Sequence, residues 1–256
     1  RKIGIPRWAR RGGGPLVLLA IWWVGTSTGF FSAQTLASPG QVVTAARELI
    51  ETGALQEHLW VSLQRVAVGL AIGVSTGALL AIVAGLWKLV EDFVDSAVQV
   101  LRSIPVLALT PLLIVWFGIG EEPKIAMVAI ATTFPVYLNT YSAIRGVDAK
   151  LVETATTFGV GRVGLVRQVI VPGALPGFFV GLRFSLAVCW LVLVISEQIN
   201  ATSGIGFLMN DARSQFRTDI IVLGIVIYAI LGLLSDALVR LLERHLLAWR
   251  RGYTGT

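Results

Sequence analysis

Residues Asp148–Gly177 read DAKLVETATTFGVGRVGLVRQVIVPGALPG, a polar, basic island set between two long apolar segments. Leu151, Val152, Ala155 and Phe158 recur at helical spacing, with Glu153 and Thr156 off that face. Gly159 and Gly161 then interrupt the helix and permit a sharp bend with positive φ. A second short helix is predicted over Gly164–Val171, where Leu165, Val166, Val169 and Ile170 oppose Arg167 and Gln168. Pro172 ends that helix and opens the next one at its first turn. The island therefore predicts a helix–bend–helix of amphipathic pieces, a shape suited to lie along a membrane face.

The surroundings of the island supply that membrane. Of 256 residues, 55% are hydrophobic and 14% charged, and mean hydropathy is +0.77. Soluble domains carry about 25% charge. Here the charges gather in short clusters between apolar runs, as expected when a bilayer takes up the apolar surface. With about 20 residues needed per span, six segments qualify: Pro15–Phe31, Val66–Trp87, Ser96–Gly118, Ile125–Ile144, Gly173–Ser196 and Ile220–Leu238. Arg1–Arg11 followed by Leu16–Val24 has the outline of a secretory signal. The later spans and the missing Ala-x-Ala site instead favour an uncleaved first span.

Net charge is +6 with pI near 10, yet the basic residues flank apolar segments, as orientation signals and headgroup contacts do. No nucleic-acid role follows from them. With the N-terminus inside, cytoplasmic segments hold fourteen: Arg1, Lys2, Arg7, Arg10, Arg11, Lys88, Arg145, Lys150, Arg162, Arg167, Arg240, Arg244, Arg250 and Arg251. Outer segments hold four: Arg47, Lys124, Arg213 and Arg217. That asymmetry predicts both termini in the cytoplasm, with loop 148–172 beside them. The outer segment Ser38–Glu57 is predicted to be an amphipathic helix started by Ser38 and Pro39, docked on the outer leaflet or on a partner.

Chemistry within the chain is sparse. No G-x4-G-K-[ST] phosphate loop occurs, since Gly73–Gly77 (GVSTG) lacks the Lys. One cysteine, Cys189, and two distant histidines, His58 and His245, indicate no metal site. No nucleophile–base set or paired carboxylates stand out, so the chain itself is expected to catalyse nothing. Charges inside spans are costly and carry a functional expectation. Arg183 is the candidate for attracting an anion, or else a helix-packing arginine; Arg102, nearer a boundary, reads as packing or headgroup contact. Thr132, Thr133, Tyr137, Asn139 and Thr140 either line a hydrated cavity or bond between helices. Glu197, Gln198 and Asn200, close to Ser203–Gly206, form an outer gate or cap a helix end. Gly69, Gly73, Gly77 and Gly85 permit close approach of another helix.

Together these residues resemble a known family. Glu153-Thr154-Ala155, Gly159 and Val169-x-Val171-Pro172 are similar to the EAA loop (E-A-A-x3-G-x9-I-x-L-P) of bacterial ABC-importer permeases, with Thr154 replacing the first Ala and Val replacing Ile and Leu. Ser62-Leu63-Gln64-Arg65, Arg102-Ser103-Ile104-Pro105, Trp116–Gly120, Pro172–Pro176, Gly181-Leu182-Arg183 and Ser203–Gly206 extend the resemblance along nearly the whole chain. They point to the aliphatic sulfonate, taurine and nitrate subgroup; permeases for thiamine-precursor pyrimidines share much of the pattern. The resemblance implies an all-α integral membrane protein with the type I ABC importer permease (MetI-like) fold, in a bacterial inner membrane. It implies a second copy of the permease, two cytoplasmic ATPases that bind ATP and Mg, and an extracytoplasmic substrate-binding protein. It assigns ATPase coupling to Glu153, Thr154, Ala155, Phe158, Gly159, Val160, Gly161 and Pro172. The competing classes are a motor-free secondary transporter, which usually needs ionisable relays, and a membrane enzyme, which needs intramembrane His and Asp clusters.

Overall fold

A computed structural model describes residues 7–32, 34–247 and 249, all-helical among the described residues. The expected signals at Arg1, Lys2, Arg250 and Arg251 lie outside them. In chain order the helices are α1 (Arg7–Ser27), α2 (Pro39–Glu51), α3 (Ala54–Leu86), α4 (Lys88–Arg102), α5 (Thr110–Phe117), α6 (Glu122–Arg145), α7 (Ala149–Thr157), α8 (Arg162–Leu165), α9 (Val171–Asn200), α10 (Ile205–Ser214) and α11 (Thr218–Leu246). Three rods are long and apolar enough to cross a bilayer by length and composition: α3, the continuous Arg162–Asn200 run, and α11. Helices α4 and α5 make a fourth if their bent pair is one span. The apolar part of α1, Leu16–Ser27, is shorter. Helix α6 has 24 residues, but its threonines, tyrosines and asparagine dilute its apolar character.

Helix α6 can be that polar because protein covers it on two sides. Gly69, Gly73, Gly77 and Gly85 of α3 face it as the spacing predicts: a Cβ on Gly69 would sit 2.6 Å from Val128 Cγ1, and one on Gly77 2.5 Å from the Thr133 carbonyl. On the other side, Gly181 of α9 approaches the Pro135 carbonyl, where a Cβ would stand 2.8 Å away. Small residues thus bring three backbones together, replacing lipid contact with van der Waals contact. Ser185 of α9 donates to the Thr132 carbonyl at 2.8 Å, one polar tie across this layer.

The structure gives three expected segments a shape that the sequence did not. The segment Ser96–Gly118 is a bent pair: it breaks after Arg102, and its two helices meet at 84°. Pro105 has no N–H to give and disfavours helix at Ile104, whereas Pro111 lies in the first turn of α5, where proline starts a helix rather than bending it. The helix expected at Gly164–Val171 does not stop at Pro172. α8 passes through a π turn, Val166–Ile170, into α9, with Val171 N–H donating to the Val166 carbonyl. Widening the turn absorbs the bond that Pro172 cannot make. Finally, α2 lays one apolar face on other helices of this chain. A Ser38–Gln41 capping box starts it. Val42, Ala45 and Leu49 then pack against Leu208 and Ala212 of α10 and Ile220 and Leu223 of α11. Arg217 adds an ion pair to Glu48 at 2.9 Å.

Candidate functional site: a coupling surface and a buried ion cluster

Loop 148–172 joins the end of α6 to α9. Asp148 caps α7 by accepting from Lys150 N–H at 2.9 Å, and Gly159 takes φ +76° to end it. Only a residue without Cβ holds that conformation at little cost. Val152 and Ala155 are half-buried, while Glu153, Thr154 and Gly161 stay exposed and Val160 half-buried. Leu151 and Phe158, expected on the packed face, point outward: Phe158 is 83% exposed and, across the bend, Val163 82%. A groove of about 550 Å³ runs beside them, lined by Leu151, Thr154, Ala155, Gln168, Pro172 and Trp249 among others. Exposed aromatic and aliphatic groups thus lie beside the exposed carboxylate of Glu153, an unusual patch for a surface loop.

The other end of α9 carries charges inside the protein. Arg65 of α3 is 1% exposed and uses all five of its N–H donors. Nη1 donates to Glu197 Oε1 and to the Ser203 carbonyl, both at 2.7 Å. Nη2 donates to Glu121 Oε1 at 2.7 Å and Ser203 Oγ at 3.3 Å, and Nε pairs with Glu121 Oε2. Glu197, 1% exposed, also accepts from Gly206 N–H at 2.8 Å and from the hydroxyl of Tyr228 at 3.2 Å. Ser62 faces both of its oxygens at 2.8 and 3.0 Å and accepts from Ile205 N–H at 2.9 Å. Gly204 N–H donates to His58 Nδ1 at 3.1 Å. Gly204 has φ +112°, and a Cβ there would strike Arg65 and Glu197. The Arg65 hydrogen bond holds the Glu121 carboxyl below its ordinary range, so it stays charged.

Of the sequence candidates, Glu197 joins this cluster, while Gln198 is exposed beside it. Asn200 Nδ2 is buried without a partner. Arg183 faces α11, paired with Asp236 at 3.4 Å and Glu243 at 2.5 Å, so its charge is compensated in this arrangement. Arg102 is exposed at the end of α4. Thr133 donates to the Ala129 carbonyl at 2.7 Å, and Asn139 to the Pro135 carbonyl at 2.8 Å. Tyr137, fully buried, stacks on Tyr141 at 5.6 Å with its hydroxyl unpartnered. Arg65, Glu121, Ser62 and Tyr228 are cluster members that residue-type reasoning did not single out. The one available signal was Ser62-x-x-Arg65, polar residues one helical turn apart at the mouth of an apolar run.

A polytopic helical subunit with such a loop is the architecture of a transport permease. Residues 73–248 match the family described as binding-protein-dependent transport system inner membrane component, and the chain belongs to that family of ABC transporter membrane subunits. It is 44% identical to the aliphatic sulfonates transport permease protein SsuC of Bacillus subtilis over 94% of this chain and 87% of that one. It is equally 44% identical to SsuC of Escherichia coli, over 93% and 91% of the two chains. Identity to the taurine transport system permease protein TauC of Escherichia coli is 34% over 91% and 86%. A crystal structure of an amino acid ABC transporter with histidines superposes with TM-score 0.63 at 20% identity, covering 78% of this chain and 97% of that one. That likeness establishes the shared fold.

Proposed function

We propose that this chain forms half of the pathway of an ATP-driven importer for a small anion, an aliphatic sulfonate or taurine, with nitrate next. Six segments cross the membrane, both termini are cytoplasmic, and two copies pair around a central route. A substrate-loaded binding protein docks outside; two cytoplasmic ATPases carry ATP and Mg. Their closure pushes on loop 148–172 and turns the bundle outward-facing, and hydrolysis resets it. The observation that carries this reading is the exposed apolar and acidic surface of α7, with Phe158 at its tip. A short bend at Gly159 joins it to the long Arg162–Asn200 helix, which can pass motion on where a flexible loop would not. The basic-residue asymmetry supports a cytoplasmic position for it. The near full-length resemblance to sulfonate permeases supports the cargo.

Copurification tests the assignment. Wild-type permease should retain an ATPase subunit, and Glu153→Arg should lose at least tenfold of it, because a cation replaces the acidic contact at the socket (about 1.4 kcal/mol per tenfold). Full retention with unchanged ATP-driven uptake contradicts the assignment.

A further inference from the structure

The ATPase-facing surface and the buried ion cluster lie at opposite ends of one rod. Thirty-five residues separate Arg162 from Glu197 within the continuous Arg162–Asn200 run, about 50 Å at 1.5 Å per residue. The rod is braced along its length, since Gly177 and Gly181 bring it into backbone contact with α6. At its far end the Glu197 carboxylate grips three things at once: Arg65 and Ser62 of α3, the Gly206 N–H at the start of α10, and Tyr228 of α11. Arg65 in turn holds the Ser203 carbonyl. The outer connection Ala201–Arg217 is therefore tied by buried charge to the tip of the rod whose root carries the coupling surface. Its backbone is shaped to accept that tie, with glycine required at 204 and 206 by the approach of Glu197.

We propose that Glu197 and Arg65 are positioning residues that transmit displacement of α8–α9 to the outer connection Ala201–Arg217, so that nucleotide-driven motion at loop 148–172 reshapes the outer surface. This rests on the ATPase-facing role of that loop. A hydrophobic contact in place of the cluster would hold α10 but let it slide. A fully used guanidinium fixes direction as well as distance, because its five donors are a rigid fork. The half-exposed Glu121, at the N-cap position of α6, is also held by Arg65 and ties the arginine to the start of that helix.

Hydrogen exchange on the permease–ATPase complex in lipid nanodiscs tests this, comparing the nucleotide-free state with the ATP–Mg–vanadate-trapped state. In wild type, peptides from both 148–172 and 201–217 should differ between the states, the latter by about tenfold in exchange rate. In Glu197→Gln the response at 148–172 should persist while that at 201–217 falls below about twofold. A purely structural role would raise exchange at 201–217 in both states alike and leave the ratio unchanged, which overturns the proposal, as does a wild type whose 201–217 peptides ignore nucleotide. Absence of a response at 148–172 in wild type would instead refute the ATPase-facing reading. Should Glu197→Gln fail to assemble, Ser62→Ala keeps the ion pair and loses the hydroxyl that joins Glu197 to Ile205 N–H. It should reduce the 201–217 ratio at least about threefold, and an unchanged ratio overturns the proposal.

Discussion

Replacing Glu197 by alanine removes the carboxylate from a site where Glu197 and Arg65 are each 1% exposed. Arg65 would keep Glu121, whose side chain is 50% exposed, but would lose its buried counter-charge. Ser62, Gly206 N–H and Tyr228 would lose an acceptor together. Breaking one side of a buried ion pair costs about 3–5 kcal/mol, most of it from stranding the remaining charge. Each buried donor left unsatisfied adds about 1–3 kcal/mol where water cannot enter. A total near 5 kcal/mol is expected, since Arg65 keeps the half-exposed Glu121 as a counter-charge. For a protein of this size that corresponds to a fall of roughly 10–20 °C in apparent midpoint. Thermal unfolding of the purified permease in one detergent, followed by tryptophan fluorescence, reads this directly. Gln198→Ala, one residue away and exposed, should shift the midpoint by no more than about 2 °C. A Glu197→Ala midpoint within 2 °C of wild type would mean that the cluster is not a buried charged unit, and the reasoning would fail.

Two further outcomes follow from the helix packing and from the Arg217–Glu48 ion pair. Gly77→Leu should destabilise by about 1–3 kcal/mol or more, because its side chain would meet the Thr133 carbonyl and Val136. Gly232→Leu, in a helix position with open space, should be neutral or slightly stabilising through helix propensity, and the two midpoints are compared in the same detergent. Between α2 and the start of α11, the Arg217 hydrogen bond lowers the Glu48 pKa below its ordinary 4.5. A depressed carboxylate contributes stability that is present above its ordinary value and is lost as pH falls through the folded value. Hydrogen exchange over Pro39–Glu51 should therefore stay constant from pH 7 to about 5, after correction for intrinsic rates. Extra opening should appear below the ordinary carboxylate range, in wild type and not in Arg217→Gln.

What could be read before folding divides along a physical line. The helix and bend of loop 148–172 were legible because they rest on local sequence: a periodic apolar face and a glycine turn within one stretch. The glycine face of α3 was legible for the same reason, although nothing in the sequence said that α6 was the helix it would meet. The ion cluster was hidden because its members are distant in sequence: Arg65 reaches Glu121 56 positions on and Glu197 132 positions on. A lone arginine before an apolar run reads as the edge of a span; only its partners turn it into an interior residue. Helix α2 shows a related limit, since an amphipathic pattern reveals an apolar face without revealing whether lipid or protein covers it. Pro172 misled in the opposite sense: it does remove an α-helical bond, but a π turn absorbed the loss and the rod continued.

The central claim is that this permease moves a small anion when ATPases push on loop 148–172. Its most direct test is uptake of radiolabelled taurine or an alkanesulfonate into proteoliposomes holding the permease, its ATPase and its binding protein. Uptake should require ATP and Mg, compete with unlabelled sulfonates, and collapse in Glu153→Arg while the permease still folds. Sulfonate uptake that proceeds without ATP, or that Glu153→Arg leaves at the wild-type rate, would contradict the account.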